Sequence, residues 1–291
     1  MNTRLLFCHA LSPLHAGTGQ GVGVIDLPIA RERATNLPYL AGSSVKGTLR
    51  DTYNEKVSLD LRVKIFGPET NRADEHAGSV SFSDQRLLLL PIRSLLGTFA
   101  WITSPYVLQR FRRDANAVGI QGVPAAIPGP SSENCMVAQS SILSENNKVY
   151  LEDLDLSSAV DATTSAWAQW LGLQIFPGTA DDWQGLLKQR FCVVHDDLFG
   201  FLMEMATEVI ARVKLMENTK TVQQGGLWYE EALPTETILY GLVVSTPVRK
   251  FQSELTDEKV FEAITRLTTT PLQFGGKATV GRGLCRLQMQ L

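Results

Sequence analysis

Glycines spaced two apart open this chain and paired glycines close it, each run set beside charged residues. The first run is His15-Ala-Gly17-Thr-Gly19-Gln-Gly21-Val-Gly23-Val-Ile-Asp26, and Gly42-Ser43-Ser44-Val-Lys46-Gly47-Thr-Leu-Arg50 follows it. The last is Phe274-Gly275-Gly276-Lys277-Ala-Thr-Val-Gly281-Arg282-Gly283. Glycine lets backbone N–H groups approach an anion closely, and a neighbouring Lys or Arg supplies the countercharge. Three such segments in one chain point to a surface that holds a phosphate-rich ligand, with plain structural turns as the alternative.

Two specific phosphate motifs fail. The alternate spacing of Gly17, Gly19, Gly21 and Gly23 does not satisfy G-x-G-x-x-G, and Pro28 comes too soon for a following helix. Gly276-Lys277 lacks the Walker pattern: Ala278 stands where Ser or Thr must bind magnesium, and Pro271 occupies the first glycine position. A small-molecule nucleotide enzyme is therefore disfavoured.

With 291 residues, 44% hydrophobic and 20% charged, the chain reads as a globular protein with a large core. No apolar run reaches membrane-spanning length, and no basic region with an apolar stretch opens the chain, so no membrane partner and a cytoplasmic location are expected. Cys8, Cys135, Cys192 and Cys285 are scattered without a CxxC pair, which suggests buried, reduced thiols. A net charge of −3 argues against a free-standing nucleic-acid binder. That average hides basic ends and an acidic middle: from Glu145 to Glu208 there are 11 acidic and 3 basic residues. The acidic stretch suits a neighbouring protein.

The pattern predicts strands at Arg4–Leu11, Gly78–Phe82, Leu87–Leu90, Phe99–Ile102, Phe191–Val194, Ile238–Thr246 and Leu284–Leu291. Helices are expected from Ser43 or Ser44 as N-cap through Tyr53, over Tyr106–Arg113, Asp196–Thr207 and Glu258–Leu267. Val209–Leu215, a polar tip at Glu217–Gly226 and Leu227–Glu230 form a strand-turn-strand excursion. Interleaved strands and helices favour an α+β fold of ferredoxin type. Lys46 and Arg50 then share one helix face at i, i+4. His195-Asp196-Asp197 lacks a second set of metal ligands and reads better as an acidic helix start. Trp228-Tyr229-Glu230-Glu231 combines aromatics able to stack on bases with carboxylates able to bind a cation, or else is a half-buried strand.

The segments His15–Pro28, Pro38–Arg50 and Gly275–Gly283 resemble the RAMP superfamily of CRISPR proteins, and Gly226–Pro234 is similar to the repeating backbone subunits of the type III-B (Cmr) effector. The matches fall in order along nearly the whole length. The resemblance implies one RAMP domain over residues 1–291: a ferredoxin-like palm, an inserted finger region and a thumb hairpin at about residues 212–231. It implies partners: a CRISPR guide RNA, single-stranded target RNA, further copies in a filament and other Cmr subunits. It also implies a metal-dependent endoribonuclease in which Asp26 is the catalytic residue and the ligand of a divalent cation, Mg or Mn. His15, Glu230 and Glu231 are candidate accessories. Ser43, Ser44, Lys46, Arg50, Gly275, Gly276, Lys277, Gly281 and Arg282 are the expected RNA-binding set. A non-catalytic RNA-binding scaffold is the alternative, and only the Asp26 loop separates the two.

Overall fold

A computed structural model describes residues 2–21, 23–53, 59–69, 74–178, 182–246 and 255–290. The N-terminal part comprises β1 (Asn2–Ala10), β2 (Tyr39–Leu40), α1 (Gly42–Tyr53), α2 (Leu59–Phe66), β3 (Val80–Phe82), β4 (Gln85–Arg93), β5 (Phe99–Thr103) and α3 (Pro105–Ala117). The middle adds β6 (Asn134–Val137), β7 (Ser144–Glu145), β8 (Lys148–Leu151), β9 (Leu154–Val160), α4 (Ala162–Ile175), α5 (Trp183–Arg190), β10 (Phe191–Val194) and α6 (Asp196–Met205). The last part holds β11 (Glu208–Leu215), β12 (Val222–Ala232), β13 (Ile238–Ser245), α7 (Asp257–Leu267), β14 (Leu272–Gln273) and β15 (Leu284–Met289).

Strand β1 is the spine. Its run from Leu5 to Ala10 is buried throughout, as a strand covered on both faces must be. It pairs antiparallel with β13 on one side and β15 on the other. Phe7 meets Phe111 of α3 on one face (ring centroids 6.0 Å apart), while Arg4, of opposite parity, lies over Phe261 of α7. Beyond β13 the sheet passes into β3 and β4, and β4 carries it further. Arg86, Leu87 and Leu89 pair with β13, whereas Leu90 to Arg93 pair with β5. From β5 the sheet runs through β10, β6, β9 and β8 to β7.

The apolar runs expected as strands are all present, Phe191–Val194 with the bounds expected and the others within a few residues. The helix expected at Tyr106 starts at Pro105, because Ser104 accepts from the Val107 N–H and proline is well placed in a first helical turn. The first helix starts earlier than expected. Gly42 opens α1, and its N–H donates to the Asp84 carboxylate at 2.9 Å, so neither Ser43 nor Ser44 caps it. Glycine is required there, since a Cβ would sit 2.3 Å from the Phe82 carbonyl. His195 caps α6 with Asp196 and Asp197 in its first turn, an ordinary helix start. All four cysteines are buried and unbonded. Among the described residues no helix is long and apolar enough to cross a membrane.

Strands β11 and β12 form a separate two-stranded ribbon. Its second strand begins at Val222, inside the segment expected as a polar tip, so the turn shrinks to Met216–Thr221. Val209, Val213, Leu215, Leu227 and Tyr229 are all exposed along it. A bare ribbon of this kind is marginal in water by itself, so its root must be held by the body.

Beneath that root an ionic cluster ties the loop before β2 to α3. Arg110 donates to Glu32 at 2.7 Å, and Arg86 and the Tyr240 hydroxyl both reach Asp114, at 2.9 and 3.0 Å. Burial pushes the Glu32 carboxyl up, but hydrogen bonds from Thr35 and Arg110 and the charges of Arg110 and Arg86 outweigh it, leaving Glu32 below the usual glutamate range. A depressed folded value contributes stability that is full above the unfolded value and is lost as pH falls through the folded one. Glu32→Gln should therefore destabilise the protein by about 3 kcal/mol at neutral pH, because the Arg110 guanidinium is left buried without its partner. Thermal melts taken from neutral pH into the acid range should show the gap from the native chain closing.

Candidate RNA interface

The glycine segments that are far apart in sequence meet at one cleft of about 520 Å³. His15, Gly17 and Gly19 form one wall, Ser44, Gly47 and Thr48 of α1 another, and Gly275 and Gly276 a third. The approach is close enough to need glycine. Gly275 has φ 71°, and a Cβ on it would lie 2.3 Å from the His15 carbonyl. The Gly276 N–H donates to that same carbonyl at 3.0 Å.

His15 is buried and works as a pin. Its Nδ1 donates to the Glu231 carbonyl at 2.6 Å, and its Nε2 edge lies where a Cβ on Gly17 would sit, 2.5 Å away. This is the structural role for a loop histidine. Ser43 and Ser44 are exposed on α1. Lys46 is half-buried, and burial together with the neighbouring Arg50 charge lowers its ammonium from the usual lysine range. Arg50 donates to the Pro68 carbonyl at 2.9 Å. Gly281 is exposed, in a left-handed turn at φ 82°.

The N-terminal excursion folds back on itself, with Gly17 bridging Ile29, and carries Asp26 to the root of the ribbon. Leu27 pairs with β12: its N–H donates to the Tyr229 carbonyl, and its own carbonyl accepts from the Glu231 N–H, both at 3.0 Å. The exposed Asp26 carboxylate accepts the Tyr229 N–H through Oδ2 at 2.8 Å. Its other oxygen has no hydrogen bond among the described residues. On the far side of this excursion lies a second cleft, of about 460 Å³, between Val24, Ile25, Val209 and Glu231.

The two accessory carboxylates are already engaged. Glu231 accepts the Ile29 N–H at 3.0 Å and Arg31 at 2.5 Å. Glu230 accepts the Trp228 indole N–H and Lys277 Nζ, each at 2.7 Å, with Arg212 at 3.4 Å. Burial pushes Glu230 up, and it is outweighed by the hydrogen bonds from Lys277 and Trp228 and the charges of Lys277 and Arg212, so its carboxyl lies below the usual range. Among the described residues no group of three His, Cys, Asp or Glu side chains could hold a metal. The site thus does not fit a chelated metal centre; it offers a cation one free carboxylate oxygen, on Asp26.

Two of the expected RNA ligands also stand differently from the sequence expectation. Lys277 is spent on Glu230, and the buried Arg282 is paired with Glu208 at 3.0 Å. Neither is a free countercharge. The sequence reading missed Arg31, Glu208 and Arg212, whose roles arise only when three distant segments converge.

Sheet, glycine-lined cleft and projecting ribbon define a class: a mixed α+β protein whose glycine loops meet helix α1 at a cleft and whose ribbon holds an exposed loop carboxylate. Within that class the chain belongs to the RAMP superfamily, whose model matches residues 7–286. It is 35% identical over 298 aligned residues to the CRISPR system Cmr endoribonuclease Cmr4 of Pyrococcus furiosus, covering 100% of this chain and 96% of that protein. Its fold is similar to the crystal structure of oligomeric Cmr4 from Pyrococcus furiosus, with TM-score 0.78, 29% identity and coverage of 100% and 98% of the two chains. A chain in the cryo-EM structure of type III-B Cmr-beta bound to cognate target RNA shares the fold at TM-score 0.76 and 18% identity, over 99% of this chain and 97% of that one.

The two ends of the cleft-forming loops differ in how much side chain they tolerate. Gly275→Ala should cost about 1–3 kcal/mol, since it adds left-handed strain and a clash with His15. Gly19→Ala, with φ 96° but open space around it, should cost less. Chemical denaturation of both variants beside the native chain measures the difference.

Proposed function

We propose that this chain is the guide-RNA-binding backbone subunit of a type III-B CRISPR effector and that it cuts complementary target RNA. The observation that carries the proposal is the exposed Asp26 carboxylate, held by the ribbon and carried on the same N-terminal excursion whose His15, Gly17 and Gly19 wall the glycine-lined cleft. Family membership and the full-length likeness to a Cmr endoribonuclease support it.

The architecture suits that role. The strand order β15-β1-β13-β3/β4, with α1 and α7 as crossovers, supports reading this part as a ferredoxin-like palm. The β11–β12 ribbon is the thumb, and the chain works as one RAMP domain in a cytoplasmic complex. Copies stack along the guide, and other Cmr subunits cap the filament. Sequence selection is left to base pairing, so the protein needs only backbone and shape contacts. Gly275, Gly276 and Gly281 offer a close backbone approach, Ser43 and Ser44 offer donors, and Lys46 and Arg50 supply charge.

In the cutting step the thumb unstacks a target nucleotide, which lets its 2′-OH swing into line with the adjacent phosphate. Asp26 orients that hydroxyl through its free oxygen while Tyr229 holds the other. A carboxylate is a weak base at neutral pH, so positioning is its main contribution. The other use of that single oxygen is to hold a divalent cation, Mg or Mn, whose remaining ligands would have to come from the RNA; such a cation would supply charge neutralisation.

In the assembled complex, Asp26→Asn should slow cutting by about 100-fold or more while guide loading stays intact, because asparagine retains an acceptor for the Tyr229 N–H. The readout is the ladder of evenly spaced products from end-labelled complementary RNA. Loss of the same ladder in a chelator would assign that oxygen to a cation, and a ladder that persists would assign it to the hydroxyl. Cutting unchanged in Asp26→Asn would leave the chain a non-catalytic scaffold. Separately, Lys46→Ala should weaken guide binding and reduce its salt-dependence slope by about one, measured by titration at several salt concentrations.

A further inference from the structure

Lys277 ties the glycine loop that lines the cleft to β12, the strand that holds the Asp26 carboxylate. Its backbone is left-handed at φ 68° and ψ 29°, directly after the Gly275-Gly276 pair that lines the cleft. Its side chain leaves that loop for the ribbon, where Nζ meets Glu230 at 2.7 Å and lies 5.8 Å from the centre of the Trp228 ring. Glu230 is the next residue after Tyr229, whose N–H holds Asp26. The charge-assisted bond therefore pins β12 at the point where it grips the proposed catalytic loop.

Glu230 does not reach Asp26 through its side chain. Adjacent residues of a strand point to opposite faces, and Glu230 shares its face with Trp228 and Arg212. The link is through the backbone: Leu27 bridges Glu230, and the Tyr229 carbonyl accepts the Leu27 N–H. A shift of β12 at Glu230 moves the Tyr229 hydrogen bonds to Asp26 and Leu27, leaving Asp26 the bond from the Gly21 N–H to its carbonyl, which lies within the excursion.

We infer that Lys277 is a positioning residue for RNA cleavage, acting through Glu230 and the β12 backbone on Asp26, and is not a ligand of the RNA phosphates. The inference rests on the reading of Asp26 as the cleaving residue. Lys277 couples the loop that lines the cleft to the carboxylate that faces the target, so the order of one sets the order of the other.

The test uses the assembled, guide-loaded complex with Lys277→Met, which keeps the stem over Trp228 and removes the charge, and with Lys277→Arg, which restores it. Single-turnover cleavage should fall at least tenfold in Lys277→Met, with guide affinity, its salt slope and target affinity as in the native complex. Lys277→Arg should recover most of the rate. Hydrogen exchange supplies a readout that does not depend on catalysis: the Tyr229 amide should exchange about tenfold faster in Lys277→Met, with protection of β1 and β13 unchanged. Loss of guide affinity with a salt slope lower by about one would make Lys277 a phosphate ligand and overturn the inference. Native Tyr229 protection in Lys277→Met would overturn it as well. Asp26→Asn, run in parallel, separates the two failures: if that variant cuts normally, the Asp26 reading is lost, and the exchange data still decide whether Lys277 holds β12.

Discussion

Glu230 and Glu231, neighbours on β12, hold the site together by pointing to opposite faces of one strand. Glu231 reaches back to the N-terminal excursion through Ile29 and Arg31, and its carbonyl takes His15. Glu230 reaches the C-terminal glycine loop through Lys277. Both carboxylates are almost fully buried, and a buried charge is tolerated only when paired and hydrogen-bonded. The ribbon root is therefore where the two ends of the chain are joined, with the Asp26 loop laid along it.

This arrangement resolves a tension in the ribbon. Two strands alone, with exposed Val209, Val213, Leu227 and Tyr229, have little cohesion of their own. Arg282 on Glu208, Lys277 and Arg212 on Glu230, and Arg31 on Glu231 fix the base and leave the distal part projecting. A lever needs a rigid root and a free end. On the proposed reading of the ribbon as a thumb that parts paired bases, that is the required mechanical form.

Much of the scaffold was legible because β10 and β13 read as apolar runs, while β1 showed a loose alternation that its burial on both faces blurs. Helix α4 was missed because its apolar residues, among them Trp167, Leu171 and Ile175, are mixed with Trp170 and Leu173 around the helix instead of forming one stripe. Strand β7 was missed because two residues carry no pattern, and β8 because its four residues alternate between open and buried instead of forming an unbroken apolar run like that of β10. At the site, glycine was the readable signal, since close backbone approach permits little else at Gly275 and Gly42. Charge was not. Lys277 and Arg282 look like phosphate ligands in sequence, and only the fold brings Glu230 and Glu208, some 47 and 74 residues away, against them.

In the proposed role, the same pairing explains how a chain of net charge −3 would serve an anionic polymer. Its cations near the cleft mostly neutralise carboxylates at the ribbon root, so they set geometry rather than a broad positive field. What lines the cleft is glycine backbone from three segments, the Ser44 and Thr48 hydroxyls and the Asp51 carboxylate. Such a surface matches the regular spacing of a backbone far better than the identity of any base. On the proposed reading that division is functional: the guide supplies sequence by pairing, the glycine loops supply register, and one exposed carboxylate supplies the cut. A strongly basic groove would bind any RNA tightly and blur that register, whereas a sparse one depends on the guide's shape and on its neighbours along the filament.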